Sequence, residues 1–317
     1  MAESTQLTVV AIGGHSLLDP DLPPTVANQF EITKAAMSPL ADLLDRGERV
    51  VLTHGNGPQV GFMQLRSELA SAELPEVPLD SLVADSQGAM GYMIERSLRG
   101  VLRRRANHGR VVTIVTEVEV DPKDPAFENP NKPIGRFYTP EEAEALAAER
   151  GWRTMADPKR GVRRVVPSPQ PQRIVQLETI RQLNDLGITV ICCGGGGIPV
   201  SHDADENIVG LEAVIDKDRV SMLLAVGLEA KCLVITTSVD RVYTGFYSED
   251  PVAHDEMTVS QARSFAEAGE FAAGSMGPKI EAAIDFLEAI DGEAIICLPE
   301  DLVAAMNGDA GTHIRRG

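Results

Sequence analysis

The stretch ICCGGGGIPV, residues 191–200, places four consecutive glycines directly after an apolar run that is typical of a β-strand. Without Cβ atoms, the backbone N–H groups of such a loop can approach a ligand closely and adopt positive φ angles, as phosphate-binding loops do. A tight turn that binds no ligand would also favour glycine here. The neighbouring strands and loops help to decide between these two interpretations.

Five further segments share the β-branched, apolar character of the run before the glycines. They are LTVVAIGG, ERVVLTHG, RVVTIVTEVEV, KCLVITTSV and GEAIICLP. Long segments rich in Ala, Leu and Glu, which are typical of helices, separate most of these predicted strands. The alternation predicts an α/β fold with helices on both faces of a mostly parallel sheet and with ligands at the carboxyl ends of the strands.

Glycine-rich loops follow three of the predicted strands. These loops are Gly13-Gly14-His15-Ser16, the segment THGNGPQVG with Gly55, Asn56 and Gly57, and Gly194 to Gly197. A tight turn explains any one of them, but three in one α/β chain favour a bound phosphoryl group, because strand ends do not generally need glycine runs. The chain has no P-loop, no dinucleotide-binding fingerprint and no serine elbow, so other residues must supply the cations.

Composition argues against several other classes of function. The formal net charge of −18 opposes a general attraction to nucleic acid or to anionic membranes. No apolar run approaches the ~20 residues of a membrane span, and the N-terminal residues lack the pattern of a signal peptide, so we expect a cytoplasmic protein. The four cysteines show no metal-ligand spacing, and we interpret them as buried small hydrophobic residues.

Lysine is scarce in this chain, and three of its seven lysines stand in unusual surroundings. They are Lys132 in NPNKPIG, Lys217 in AVIDKD and Lys279 in GSMGPK. A compact ammonium group can follow a moving phosphoryl group, whereas the rigid fork of arginine suits static binding. Two alternatives involve no ligand: Lys217 and Asp218 could form a surface ion pair at a helix start, and Lys132 could lie on an exposed loop.

Taken together, eight stretches resemble the carbamate kinases, a branch of the amino acid kinase family. They are THGNGPQVG (53–61), SQGAMGYMI (86–94), DPAFENPNKPIG (124–135), VRRVVPSPQP (162–171), CCGGGGIPV (192–200), AVIDKDRVSMLLA (213–225), TTSVDRVYTGF (236–246) and GSMGPKIEAA (275–284). The resemblance implies a three-layer α/β/α sandwich around a mostly parallel sheet, and a homodimer. It also implies reversible phosphoryl transfer between ATP and carbamate, often run toward ATP from carbamoyl phosphate and ADP.

The resemblance further implies how the chain is divided. An acceptor lobe at about 1–183 would bind carbamate or carbamoyl phosphate, and a nucleotide-binding lobe would cover about 184–317. A small lid subdomain at about 121–170 would be inserted into the first lobe and would carry Lys132.

Roles for individual residues are likewise implied by the resemblance. Lys217 and Lys279 would flank the transferred phosphoryl group, with Asp218 orienting them and Lys132 closing over the acceptor. The acceptor site would include Gly13, Gly14, His15, Gly55, Asn56, Gly57, Gly195, Gly196 and Gly197. The nucleotide would contact Ser238, Asp240, Tyr243, Met276, Gly277 and Pro278. Mg²⁺ would be held mainly by the nucleotide phosphates, so we expect no metal cluster of protein side chains.

Two alternative functions remain open at this point. One is a kinase that acts on another small carboxylic acid, against which the lid segment and its NPNKPIG stretch argue. The other is a weakly active homologue that binds carbamoyl phosphate or nucleotide as a sensor, against which the retained lysines and Asp218 argue.

His15 stands where carbamate kinases usually have asparagine after the first glycine pair. A neutral imidazole can also offer one donor and one acceptor, and we favour functional replacement over a changed acceptor or reduced activity. Because histidine titrates near neutral pH, we expect the reaction rate to depend on pH between about 6 and 7. A His15→Asn variant with an unchanged pH–rate profile would contradict this expectation.

Overall fold

The structure is a computed structural model that describes residues 6–19, 21–157, 160–272 and 274–317, except for the side chains of residues 15 and 16. Within these ranges the α-helices are α1 (Val26–Asp45), α2 (Gly57–Leu69), α3 (Leu79–Arg104), α4 (Pro140–Arg150), α5 (Leu177–Asp185), α6 (Lys217–Gly227), α7 (Val259–Glu267), α8 (Met276–Ala289) and α9 (Leu302–Met306). None of these helices is long and apolar enough to cross a membrane.

An eight-stranded sheet forms the middle layer. Its strands are β1 (Leu7–Ile12), β2 (Arg49–His54), β3 (Arg110–Thr113), β9 (Ile188–Ile191), β12 (Cys232–Thr236), β15 (Glu256–Thr258), β16 (Glu293–Cys297) and β17 (Thr312–Arg315). Their order across the sheet is β15-β17-β16-β12-β1-β2-β9-β3. Among the described strand pairs of this sheet, only β16–β17 is antiparallel, so the prediction of a mostly parallel sheet is confirmed.

Alternate residues of β1 project into two separate apolar cores. Val9 and Ala11 join one core with side chains of α6 and α8, whereas Val10 and Ile12 join the other with side chains of α1 and α3. A central parallel strand that is covered on both faces must be apolar on both faces, which explains the continuous run LTVVAI. The expected three-layer α/β/α sandwich is therefore confirmed.

Three smaller sheets lie outside the middle layer. One has the order β11-β10-β4-β8, with β4 (Glu117–Val120), β8 (Pro171–Ile174), β10 (Ile198–His202) and β11 (Ile208–Gly210). Another has the order β5-β7-β6, with β5 (Lys132–Tyr138), β6 (Arg153–Asp157) and β7 (Gly161–Val166). The third is a hairpin of β13 (Val242–Thr244) and β14 (Val252–His254).

The segment that we call the lid, residues 121–170, is an excursion between two paired strands. Strands β4 and β8 pair antiparallel at its base, with Glu119 opposite Arg173. Between them, β5, β6 and β7 form a sheet of their own, and α4 begins with a capping box of Thr139 and Glu142. The lid thus has its own hydrogen-bonded framework, although the lobe boundaries at 183 and 184 stay a prediction.

The prediction of one continuous strand over RVVTIVTEVEV is wrong. The segment divides into β3, which belongs to the middle sheet, and β4, which pairs with β10 and β8. Between them, the Thr116 backbone bonds to Gln87 and Ile198 instead of continuing the ladder of β3. The local apolar pattern is continuous, but these distant partners divide it.

The glycine run has a structural cause in addition to any ligand. Gly195, Gly196 and Gly197 have φ angles of +68°, +96° and +82°, which favour glycine. A Cβ on Gly195 would lie 2.2 Å from the amide nitrogen of Asn56, and one on Gly196 would lie 2.3 Å from the carbonyl oxygen of Ile215. Protein atoms therefore fill the space that these side chains would need, and substrate contact by these glycines stays a prediction.

Replacing Gly196 by alanine should destabilise the fold more than the same change at Gly308. Both residues have positive φ, +96° and +87°, but the Cβ at 308 would meet nothing within 4 Å. We expect Gly308→Ala to lower the free energy of unfolding by about 1 kcal/mol, and Gly196→Ala to lower it by about 3 kcal/mol because of the added clash. Urea unfolding measures both values, and equal losses would contradict the packing explanation.

Candidate active site

Two lysines and one aspartate from α6 and α8 form the centre of the candidate site. Lys217 and Asp218 are the first two residues of α6, and Lys279 lies in the first turn of α8. Asp218 Oδ1 lies 2.7 Å from Lys217 Nζ, and Asp218 Oδ2 accepts a hydrogen bond of 2.8 Å from Lys279 Nζ. Two lysines that are distant in sequence therefore share one carboxylate.

Charge is concentrated and buried in this cluster. Burial would raise the pKa of Asp218, whose side chain is only 6% exposed, but the Lys217 and Lys279 ammonium groups hold that pKa well below its usual range. Burial lowers the pKa of Lys217, and the charge of Lys279 acts in the same direction while Asp218 opposes it. One carboxylate thus compensates two ammonium groups, and an anion would complete the balance.

The contact between Lys217 and Asp218 is an ion pair rather than a well-formed hydrogen bond. Among the residues that the structure describes, neither Lys217 Nζ nor Asp218 Oδ1 has a hydrogen-bond partner of acceptable geometry. A buried polar group without partners costs free energy. An anion beside Lys217 Nζ would offer that ammonium group a further acceptor.

The loops after β1 and β2 touch each other through glycines. A Cβ on Gly55 would lie 2.7 Å from the backbone nitrogen of Gly14, and one on Gly14 would lie 3.0 Å from the carbonyl carbon of Gly55. Nearby, the Gly13 N–H donates to Thr236 Oγ1 over 3.3 Å. Side chains at these positions would force apart two loops at the carboxyl edge of the sheet.

The N-terminus of α2 has no side-chain cap. Asn56 occupies the capping position, but its amide donates a 2.6 Å hydrogen bond to Ser86 Oγ and makes no capping bond. A Cβ on Gly57, the first residue of the helix, would meet nothing within 4 Å. Free N–H groups and the positive end of the helix dipole suit an anion at this point.

Two cavities adjoin the lysine cluster. One, of about 630 Å³, is lined by Gly13, Ser238 and Lys279 among others. The other, of about 810 Å³, lies between the lid and the body and is lined by Gly57 and Lys132 among others. Gly274 lines both cavities, so they come close together beside the first turn of α8.

The structure brings some predicted residues together and leaves others apart. Lys132 is joined to the cluster through Asp216, whose Oδ2 accepts a 2.7 Å hydrogen bond from Lys132 Nζ. Asn56 and the glycines at 14 and 195–197 are buried and line neither cavity. The prediction for His15 concerns a side chain that lies outside the described part of the chain.

Some of the predicted nucleotide-binding residues also line one of the two cavities, and others line neither. Ser238 lines the smaller cavity, and Pro278 lines the cavity under the lid. Asp240 and Tyr243 line neither, but they are joined by a 2.9 Å hydrogen bond from the Tyr243 hydroxyl to Asp240 Oδ1. Met276 and Gly277 begin α8 immediately before Pro278 and Lys279. Their contacts with a nucleotide therefore stay a prediction.

Sequence reasoning missed the positioning role of Gln87. Its amide nitrogen donates to the carbonyl oxygens of Thr116 and Gly194, each over 3.1 Å, and its Oε1 accepts from the Thr116 N–H over 2.7 Å. Gln87 thereby ties the glycine run to the segment between β3 and β4. Its place on the buried stripe of α3, between Val83 and Met90, was the available signal.

His54, at the end of β2, packs against the glycine run. Its Nδ1 lies 3.1 Å from the carbonyl oxygen of Gly55, and a Cβ on Gly194 would lie 2.5 Å from its Nε2. Burial lowers the pKa of His54 to about 4, and the positive charge of Lys217 acts in the same direction. The imidazole is therefore neutral at physiological pH and supports the loop.

The sequence of the chain matches one protein family and individual members of it. A sequence model described as the amino acid kinase family matches residues 6–297. The chain is 41% identical over 309 residues to carbamate kinase 2 of Enterococcus faecalis, covering 97% of this chain and 98% of that protein. It is 42% identical over 308 residues to a carbamate kinase of Pyrococcus furiosus, with coverages of 96% and 98%.

Solved structures of carbamate kinases are also similar to this chain. A carbamate kinase from Giardia lamblia bound to AMP-PNP superimposes with a TM-score of 0.93 at 40% sequence identity, covering 99% of both chains. More distant structures, such as N-acetylglutamate synthase from Neisseria gonorrhoeae with a TM-score of 0.57 at 16% identity, share the fold alone.

Buried His54 should make the stability of the protein depend on pH. Below pH 6.5 the unfolded histidine binds a proton that the folded protein excludes until about pH 4, so the free energy of unfolding should fall as pH drops through that window. The expected contribution is about 3 kcal/mol. Urea unfolding between pH 7 and pH 4 should show a shallower decline for His54→Asn than for the wild type.

The exposed His108 provides the control for this measurement. A His108→Asn variant should keep the wild-type pH dependence. If His54→Asn and the wild type lose the same free energy over the window, a buried neutral His54 is excluded as the cause.

Proposed function

The chain belongs to the amino acid kinase family, and we propose that it acts as a carbamate kinase, transferring a phosphoryl group reversibly between ATP and carbamate. The curated carbamate kinases match it over nearly the whole length of both chains. These relatives do not favour the alternative of another small carboxylic acid as acceptor. The observation in the structure that carries the proposal is the shared carboxylate of Asp218 between Lys217 and Lys279.

The arrangement suits phosphoryl transfer because that reaction needs alignment and charge compensation more than covalent chemistry. Lys217 and Lys279 would flank the transferred group, each donating N–H groups to its oxygens, while Asp218 fixes the position of both ammonium groups. Carbamate carries an ionised oxygen that can attack directly, so the site needs no general base. The neutral His54 is consistent with this, since its pKa of about 4 and its burial suit a supporting role.

We place the acceptor under the lid and the nucleotide in the smaller cavity. The cavity under the lid presents the uncapped start of α2 at Gly57 together with the Lys132 ammonium, which together suit a small anion. The smaller cavity presents Ser238 and Lys279, so a nucleotide there would direct its terminal phosphate toward the lysine cluster. Gly13, which was predicted for the acceptor site, lines this same cavity. AMP-PNP bound to the Giardia lamblia enzyme supports ATP and ADP as the nucleotides.

Mg²⁺ would enter with the nucleotide rather than occupy a cage of protein ligands. Within the described residues, no group of three or more His, Cys, Asp or Glu side chains could hold a metal ion. The carboxylates nearest the cluster are already engaged, Asp218 with two lysines and Asp216 with Lys132. A metal held by phosphate oxygens, which would neutralise part of their charge, fits these surroundings.

A homodimer, cytoplasmic residence and net flux toward ATP belong to the same proposal. The homodimer and the direction of flux rest on the resemblance of this chain to the carbamate kinases, whereas cytoplasmic residence stays an expectation from the sequence pattern.

A coupled assay of ATP formed from carbamoyl phosphate, ADP and Mg²⁺ tests the proposal. We expect turnover by the wild type and a loss in kcat of at least about 100-fold in Lys217→Met and Lys279→Met, because each change removes charge stabilisation of the transferred group. Lys34→Met, which changes an exposed lysine paired with Glu31, should keep wild-type turnover. A wild type that forms no ATP, or lysine variants with full turnover, would overturn the proposed function.

A further inference from the structure

The lid is joined to the body by side chains that donate from the lid to carboxylates on the body. The contacts are Lys132–Asp216 at 2.7 Å, Arg150–Glu76 at 2.6 Å, Tyr138–Glu68 at 3.1 Å and Arg164–Glu212 at 3.2 Å. The acceptors of the last three lie on α2 (Glu68) or in loops (Glu76 and Glu212). Only the first ends at the helix that carries Lys217 and Asp218.

Asp216 uses its two carboxylate oxygens for different partners. Oδ1 caps α6 by accepting from the backbone N–H groups of Asp218, over 2.9 Å, and Arg219, over 3.4 Å. Oδ2 accepts from Lys132 Nζ over 2.7 Å. One carboxylate therefore fixes both the first turn of α6 and the ammonium group of the lid.

The surroundings of Asp216 keep its carboxylate ionised and pair it with the ammonium group of Lys132. Its side chain is 13% exposed, and burial and the charge of Asp218 would raise its pKa. The charge and the hydrogen bond of Lys132, together with the hydrogen bond from the Asp218 N–H, lower that pKa below its usual value. Lys132, at 35% exposure, donates to Asp216 and has two further N–H bonds available for a ligand. An anion beside Lys132 would then meet an ammonium group whose position Asp216 fixes.

We propose that Asp216 is a positioning residue for the phosphoryl transfer, holding Lys132 of the closed lid at the start of α6 so that its ammonium meets the phosphoryl group of carbamoyl phosphate. This inference rests on the proposed function and adds to it a residue outside the predicted catalytic set. The simpler role for Asp216 is that of a helix cap alone. The two roles differ in their dependence on charge, because asparagine caps helices about as well as aspartate does.

The test uses Asp216→Asn, Lys132→Ala and the double variant in the coupled assay. Asp216→Asn should keep the thermal midpoint of the wild type and lower kcat/KM for carbamoyl phosphate about tenfold, mainly through KM. In the Lys132→Ala background, Asp216→Asn should lower kcat/KM by less than about twofold, because the effects of two substitutions that remove the same contact are not additive. Equal losses in both backgrounds, or no loss in either, would overturn the inference.

A matched control removes a lid contact away from the cluster. Glu212→Gln weakens the contact with Arg164. In the wild type, Glu212 Oε1 accepts a 2.7 Å hydrogen bond from the Leu79 N–H, and the glutamine keeps a side-chain oxygen that can accept this bond. Its kcat/KM should stay within about twofold of the wild type. A tenfold loss here would show that any weakened lid contact has the same effect, and it would overturn a specific role for Asp216.

A second measurement separates this inference from the proposed function. Acetylation of Lys132 by acetic anhydride, measured by mass spectrometry against exposed Lys34 in the ligand-free protein, should be several-fold faster in Asp216→Asn because the ion pair no longer occupies the amine. If acetylation is faster in Asp216→Asn but the wild type forms no ATP, the proposed function is overturned, while the ion pair between Lys132 and Asp216 is supported. An unchanged rate of acetylation would overturn the positioning role even if the wild type is active.

Discussion

The carboxylate of Asp218 compensates two buried ammonium groups, and the candidate site depends on this one interaction. Lys217 and Lys279 would repel each other if Asp218 did not lie between them. Because all three side chains are largely buried, solvent screens their charges poorly. The result is a cluster with a net positive charge, which is a suitable environment for a transferred phosphoryl group.

The parallel sheet explains why these groups converge. Strands β1, β2, β9 and β12 are neighbours and run in the same direction, so the loops that follow them lie at one edge. Glycines let those loops approach one another: Gly14 touches Gly55, and Gly195 lies against Asn56. The same close packing places the uncapped start of α2 beside the cavity under the lid.

The lid and the body together line the larger cavity. The lid is an independent small sheet with a helix, and its base is held by the pairing of β4 with β8. Its charged side chains donate to carboxylates of the body, and the pair of Lys132 and Asp216 joins the lid to the start of α6. One side chain therefore contacts both the lid and the helix that carries Lys217 and Asp218.

Local sequence patterns determined the α/β class, most strands of the middle sheet and the three lysines of interest, because strand periodicity and glycine placement act over a few residues. Tertiary structure decided which residues meet. The run RVVTIVTEVEV divides between two sheets because the Thr116 backbone bonds to Gln87 and Ile198. The glycine run needs its glycines because Asn56 and the Ile215 carbonyl fill the space beside them, and Asp216 meets Lys132 across 84 positions of sequence. Such contacts depend on the assembled chain, so no local pattern could reveal them.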